Sequence, residues 1–152
     1  MTTEVLKEKI SALLSDVTYD ETGEFLQVHV SAEAWPTLAL QLREDNEMVF
    51  DYLFCLTCID WKTHLTMVYH LSSTQHRHTI VVKCKLELAA PTIGSVALIW
   101  RTAEFHEREV YEMFGVNFEG HPDLRLLILP DSWEGKNPLR KDFDDPVNMI
   151  RL

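Results

Sequence analysis

Three apolar stretches in the middle of the chain decide the fold: FDYLFCLTCI (residues 50–59), LTMVYHLSS (65–73) and HTIVVKCKL (78–86). Each has the length of a strand and is rich in β-branched and aromatic residues. In the third, Ile80, Val82, Cys84 and Leu86 alternate with other residues and share one face. The first is apolar at almost every position, which predicts a central strand covered on both faces. The second pairs with it across the short turn from Trp61 to His64. On the N-terminal side, EFLQVHV alternates as well, with Leu26, Val28 and Val30 on the core face and Gln27 and His29 opposite. A shorter strand, VTYD, precedes it across a hairpin loop at Asp20 to Gly23.

Two helices complete this part. Thr2 or Thr3 caps the first, in which Leu6, Ile10, Leu13 and Leu14 recur at helical spacing to about Ser15. The second opens near Pro36, buries Leu38, Ala39 and Leu42, and stops near Glu44. The order helix, strand, strand, helix, strand, strand, strand predicts an α+β two-layer sandwich, with both helices on one side of a five-stranded sheet.

The chain has 152 residues, enough for one domain with a real core. With 24 acids against 14 bases its net charge is −10, which argues against a nucleic-acid partner. The middle third, residues 51–100, carries only three acids and four bases, so the core belongs there and the charged surfaces at the two ends. No apolar run reaches the ~18–20 residues of a membrane helix, and MTTEVLKEKI lacks the apolar centre of an export signal. We therefore expect membrane contact only through partners.

Cys55, Cys58 and Cys84 are an odd set, as expected in a reducing compartment. Cys55 and Cys58 have the spacing of zinc and redox sites. On a strand, however, positions three apart face opposite ways, and no second pair completes a four-ligand site. His76 and His78 flank Arg77 in what reads as a solvated turn without a third ligand.

After Gly94 come a short apolar run, SVALIW, and a helix over 102–114 that stops at Gly115. At ~100° per residue, Ala103, Val110 and Phe114 form one stripe with Glu107 in its middle. A buried carboxylate needs a partner, and Arg125 or Arg140 downstream are the expected cations. Arg108 has Glu104 and Glu112 one turn away on either side and is expected to bridge its own helix, while Glu109 turns a third way. Carboxylates beside an arginine can serve acid–base chemistry, but no nucleophile, glycine-rich loop or metal triad accompanies them. The 37 residues from Val116 to Leu152 show no regular period, yet they hold Phe118, Leu124, Leu127, Leu129 and Trp133. That is too apolar for a disordered tail. The boundary is therefore drawn as an α+β domain over 1–115 and an extended partner-docking segment over 116–152. Within it, Gly120 and Pro122 bend the chain around His121, read as an ordered turn residue that donates to a carboxylate or carbonyl.

The run EREVYEMFGVNFEGHPDLR (107–125), followed by NPLRKDF (137–143), strongly resembles the small peripheral-arm subunit, the C subunit, of the proton-pumping NADH:quinone oxidoreductase, respiratory complex I. FDYLFCLTCIDW and VYHLSS upstream are similar to the same family. The resemblance implies a mixed sheet and a protein that carries no cofactor, with flavin and iron–sulfur clusters in its partners. It implies a place in the hydrophilic arm, on the cytoplasmic side of the inner membrane, against the quinone-site subunit and the subunit with the terminal iron–sulfur cluster. The signature residues it marks are Glu107, Arg108, Glu109, Glu112, Phe114, Gly115, Gly120, His121, Pro122, Asp123, Leu124, Arg125, Arg140, Lys141 and Asp142. Ala103-Glu104-Phe105 departs from the family's usual Ala-Asn-Trp, Lys136-Asn137 from its usual short step before Pro-Leu-Arg, and Phe143 from a common tyrosine. A chain of this length is expected to be unfused to the quinone-site subunit. Two alternatives are the equivalent subunit of a membrane-bound nickel–iron hydrogenase or of a ferredoxin- or formate-linked complex, and a free-standing metal-binding or redox protein using the cysteines and the histidine pair.

Overall fold

A computed structural model describes residues 1–149. The elements run α1 (Thr3–Leu13), β1 (Thr18–Asp20), β2 (Leu26–Ser31), α2 (Trp35–Glu44), β3 (Tyr52–Asp60), β4 (His64–Ser72), β5 (Thr79–Glu87), β6 (Thr92–Gly94), α3 (Ala103–Phe114) and β7 (Asn117–Glu119), with a 3₁₀ turn at Asp131–Trp133. Five strands form one sheet in the order β1-β2-β5-β4-β3. β2 and β5 are parallel and the other pairs antiparallel, so the sheet is mixed, as expected. Leu6 and Ile10 of α1 and Trp35, Leu38, Ala39 and Leu42 of α2 share one buried cluster with the inward side chains of the sheet. Trp35 sits at its centre, with its ring 4.5 Å from that of Tyr69 and 6.3 Å from that of Trp100.

The predicted central strand is an edge strand. Among the described residues β3 pairs only with β4, and β5 holds the centre between β2 and β4. The apolar run conceals an alternation broken by a bulge between Leu53 and Cys55. Leu53, Leu56 and Cys58 point into the core, whereas the rings of Tyr52 and Phe54 remain exposed. A bulge changes the inward register by one residue, so the period-2 pattern disappears from the sequence. Carbonyls beside and within β3 are taken up by later chain: Trp100 Nε1 donates to Phe50 O at 2.9 Å, and Thr102 Oγ1 donates to Leu53 O at 2.7 Å.

Cys55 and Cys58 fall on opposite faces of β3, the first half-buried and the second buried. Burial, reinforced by the Asp60 carboxylate, pushes the Cys58 thiol up to about 12. Thr2 is the N-cap of α1 but makes no side-chain cap bond, and the helix ends at Leu13, two residues early. His78 is not in a solvated turn. It is buried, edge-on to Phe50, with Nε2 at 2.8 Å from Met48 O, because the turn before β5 folds back over the Met48–Phe50 connection. His76 is exposed.

SVALIW forms turns rather than a regular element, burying Val96, Ala97 and Trp100 while Leu98 stands in solvent. Just before it, β6 pairs in parallel with β7 as a small second sheet that places Ile93 beside Phe118. The segment after Gly115 thus starts inside the fold, with Val116 and Phe118 in the core. Its last three residues lie outside the described residues.

Candidate docking site on helix α3

α3 carries three buried charged side chains, Glu107, Arg108 and Glu112, and each grips a different piece of backbone. The helix ends where Gly115 adopts a left-handed φ of 74° and donates its amide to Tyr111 O. A Cβ on Gly115 would lie 2.6 Å from Asn137 Nδ2, so the absence of a side chain is what lets the returning segment close on the helix.

Glu107 lies on the Ala103–Val110–Phe114 stripe with no exposure to solvent. Neither expected cation pairs with it: Arg125 is on Asp123 and Arg140 on the Phe114 carbonyl. Oε1 accepts the Val96 amide at 2.8 Å, Oε2 accepts the Ser95 hydroxyl at 2.5 Å, and His121 Nε2 is 3.8 Å from Oε2. The connection entering α3 lies across this face of the helix, so its own donors reach the carboxylate before any downstream arginine. Burial pushes the Glu107 carboxyl up to about 7 against the opposing pull of the Ser95 and Val96 bonds.

Arg108 does not bridge its own helix either. Nε donates to Arg125 O at 3.1 Å and Nη2 to Leu126 O at 2.7 Å, while the guanidinium lies 5.6 Å from the Phe105 ring. One turn on, the Glu112 carboxylate accepts the amides of Leu127, Ile128 and Leu129 at 2.8, 3.0 and 3.2 Å. A pairing between Arg108 and Glu112 in solvent would contribute little. Without it, a guanidinium on carbonyls and a carboxylate on amides together satisfy an irregular stretch that has no ladder of its own.

Three further clips hold the segment. His121 Nδ1 accepts the Asp123 amide at 2.9 Å, so the ring proton is on Nε2, which donates to Glu104 O at 2.9 Å. Leu139 N donates to Met113 O at 3.1 Å and Arg140 Nε to Phe114 O at 2.7 Å, which satisfies two end carbonyls of α3. Asp60, at the end of β3, accepts the amides of Lys62 and Lys141 at 2.7 and 2.8 Å. Burial alone would raise the Asp60 carboxyl. These amides and the charges of Lys141 and Arg140 hold it below its ordinary value.

The remaining signature residues play smaller parts. Asp123 and Arg125 pair with each other at 2.8 Å in solvent. Gly120 has a left-handed φ of 78°, Pro122 and Asp142 are exposed, and Glu109 is half-buried. Of the apolar residues expected to face a partner, Leu124, Leu129 and Trp133 are half-buried. Leu127 is 38% exposed, and the most exposed residue of that loop is its neighbour Ile128, at 65%. Leu139 and Phe105 are also exposed. Ser95, Asp60 and Asn137 complete the site; Asp60 and Asn137 lie in the stretches that carry the resemblance, but the sequence assigns none of the three a role. The charged residue closing the apolar β3 run is a signal that could have identified Asp60. Among the described residues, no group of three or more His, Cys, Asp or Glu side chains could hold a metal ion. No helix among them is long and apolar enough to cross a membrane.

The family profile described as "Respiratory-chain NADH dehydrogenase, 30 Kd subunit" matches residues 28–147, which include both the sheet from β2 onward and the clipped segment. The chain is 42% identical over 141 residues to the C subunit of the NADH-quinone oxidoreductase of Chloroherpeton thalassium, covering 91% of this chain and 58% of that relative's length. Among solved structures, it is similar to a chain of the membrane-bound sulfane sulfur reductase, an archaeal respiratory membrane complex. There the TM-score is 0.81 at 29% identity, over 95% of this chain and 86% of that one. It is also similar to the trypsin-resistant fragment (1-134) of Nqo5, with a TM-score of 0.69 at 27% identity, over 82% of this chain and all of the fragment.

Proposed function

Because the chain belongs to the family of the 30 kDa subunit of the respiratory-chain NADH dehydrogenase, we propose that it acts as a structural subunit of an NADH-quinone oxidoreductase. In this reading it binds no cofactor. It braces the quinone-site subunit and the subunit bearing the terminal iron–sulfur cluster while electrons pass from NADH to quinone in its partners. It sits on the cytoplasmic side of the membrane and is held there through those partners.

One observation carries this reading. Glu112 holds three successive amides of the 127–129 loop while the Leu127 and Ile128 side chains stand outward in solvent. A loop made rigid by its backbone and apolar at its tip is suited to docking, because little conformational entropy remains to be lost on binding. The buried charges of α3 are occupied by the chain's own backbone and, at Glu107, by the Ser95 hydroxyl as well, which suits a scaffold rather than a reaction centre.

The similarity to the sulfane sulfur reductase chain supports a second reading, in which the chain serves the corresponding place in another membrane-bound complex, such as a hydrogenase or a ferredoxin-linked enzyme. Affinity purification of the tagged chain from its native membrane separates the two. Co-purification of an NADH-binding flavoprotein with a quinone-site subunit supports the first reading. Recovery of hydrogenase or sulfur-reducing subunits instead supports the second.

A further inference from the structure

Glu107 and His121 face each other with both side chains fully out of solvent, 3.8 Å apart. The His121 ring carries its one proton on Nε2, which donates to the Glu104 carbonyl at 2.9 Å. Glu107 Oε2, at 3.8 Å, is the next acceptor and lies just beyond hydrogen-bond reach. Which acceptor holds the proton depends on the charge of Glu107, because a hydrogen bond to a carboxylate is roughly twice as strong as one to a neutral acceptor.

Among the described residues, few other groups bear on Glu107. The connection before α3 presents only the Ser95 hydroxyl and the Val96 amide. From β4 the Tyr69 phenol is within electrostatic reach, itself pushed up by burial. On α3, Glu104 offers its carbonyl to the His121 ring, and Arg108 is turned to the carbonyls of Arg125 and Leu126. The Asp123 carboxylate, paired with Arg125, is within electrostatic reach of the ring. Ser95 answers a change of charge on Glu107 by turning its hydroxyl in place, whereas His121 is the partner that carries the answer into the downstream turn. The ring is also tied to the Asp123 amide, so it cannot move without the turn that carries it.

We infer that Glu107 and His121 form a proton-operated latch on the turn from Gly120 to Arg125. Neutral Glu107 leaves the imidazole on the Glu104 carbonyl and the turn closed on α3. Ionised Glu107 draws the Nε2 proton to its own oxygen and frees the Glu104 carbonyl. The turn leads directly into the 127–129 loop, so the effect of the latch on assembly rests on the docking function proposed above, while the latch itself does not.

The test is a titration of the isotope-labelled full chain by NMR across pH ~5–9, the range in which histidine and buried glutamate change charge. It follows the Glu107 carboxyl carbon, the His121 ring nitrogens and the Asp123 amide. The latch predicts that the ring and the amide shift together with the Glu107 inflection near 7, and that Glu107→Gln abolishes the shift. Ring and amide signals that stay still through that inflection overturn the latch, as does an inflection in the ordinary carboxylate range. The native chain decides this even if the variant fails to fold, because the latch moves the ring signals while Nδ1 stays unprotonated, and ring nitrogens that both take on the imidazolium signature overturn it. Recovery of partner subunits with a chain altered at Ile128 reports separately on docking, and its failure leaves these outcomes unchanged.

Discussion

Replacing Glu112 with alanine removes one acceptor from three amides at once. Each hydrogen bond to a charged group contributes about 1.5–3 kcal/mol in a folded protein. The Leu127 and Ile128 amides lie in a loop that water can reach once the carboxylate is gone, so rehydration recovers much of that sum. Arg108 still holds the carbonyls of Arg125 and Leu126. We expect a net loss of roughly 3 kcal/mol, localised to the segment. At 1.4 kcal/mol per factor of ten, native-state amide exchange at Leu127, Ile128 and Leu129 should then accelerate by roughly a hundredfold. Amides in the middle of β4 and β5 should hardly change, because the loop can detach without opening the sheet. Glu112→Gln keeps one acceptor oxygen but places an NH₂ against the remaining amides, so its effect should be intermediate. If exchange at residues 127–129 is unchanged in Glu112→Ala, the carboxylate is not what orders the loop. If β4 and β5 exchange faster to the same extent, the segment is not a separate unit.

Other consequences are open to direct measurement. Gly115→Ala forces a side chain into a left-handed backbone, at a cost of about 1–2 kcal/mol, and into the space held by Asn137, so thermal unfolding should begin several degrees lower. Two carboxyls should give opposite slopes of stability with pH. Glu107 titrates near 7 when folded against 4.5 when unfolded, so its contribution is complete below 4.5 and is lost as pH rises through 7; this amounts to about 3 kcal/mol and should vanish in Glu107→Gln. Asp60 is lowered in the fold, so its contribution is present above the ordinary value and is lost as pH falls through the folded one; Asp60→Asn should remove that acid-side loss in denaturant titrations. Cys55 should react with a thiol reagent well before Cys58 and Cys84, whose thiols burial pushes up, and Cys58→Ser should destabilise by about 1–3 kcal/mol without altering the metal content of the purified chain.

Much of the fold could be read from periodicity. The alternations in β2 and β5 and the helical stripes of α1 and α2 place the inward side chains correctly. Three things could not be read. Strand order depends on which strands become neighbours, and a bulge in β3 made an edge strand look like a doubly buried one. β6 and β7, at three residues each, are too short to show a period. The site divides in the same way. A helical wheel is enough to show that Glu107 is buried. Its partners could not be found by pairing opposite charges, because an amide and a serine hydroxyl leave no charge signal. Arg108 and Glu112 satisfy the spacing rule for a helix-surface pair, yet both are drawn to the unpaired carbonyls and amides of a coil 17 or so residues downstream. That preference follows from the demand of buried backbone for partners, which spacing along the helix does not encode.

The central claim is that the loop held by Glu112 presents Leu127 and Ile128 to another subunit. The most direct test is the double variant Leu127→Asp with Ile128→Asp, introduced in place of the native chain in its own cell. Ile128 is largely exposed and Leu127 is 38% exposed, so the purified variant should remain folded with its sheet intact, which amide exchange in β4 and β5 reports. We predict that little assembled complex is recovered from the membrane, and that what is recovered turns over at the native rate per complex. Full assembly of the variant, or normal assembly with collapsed turnover, would contradict the account.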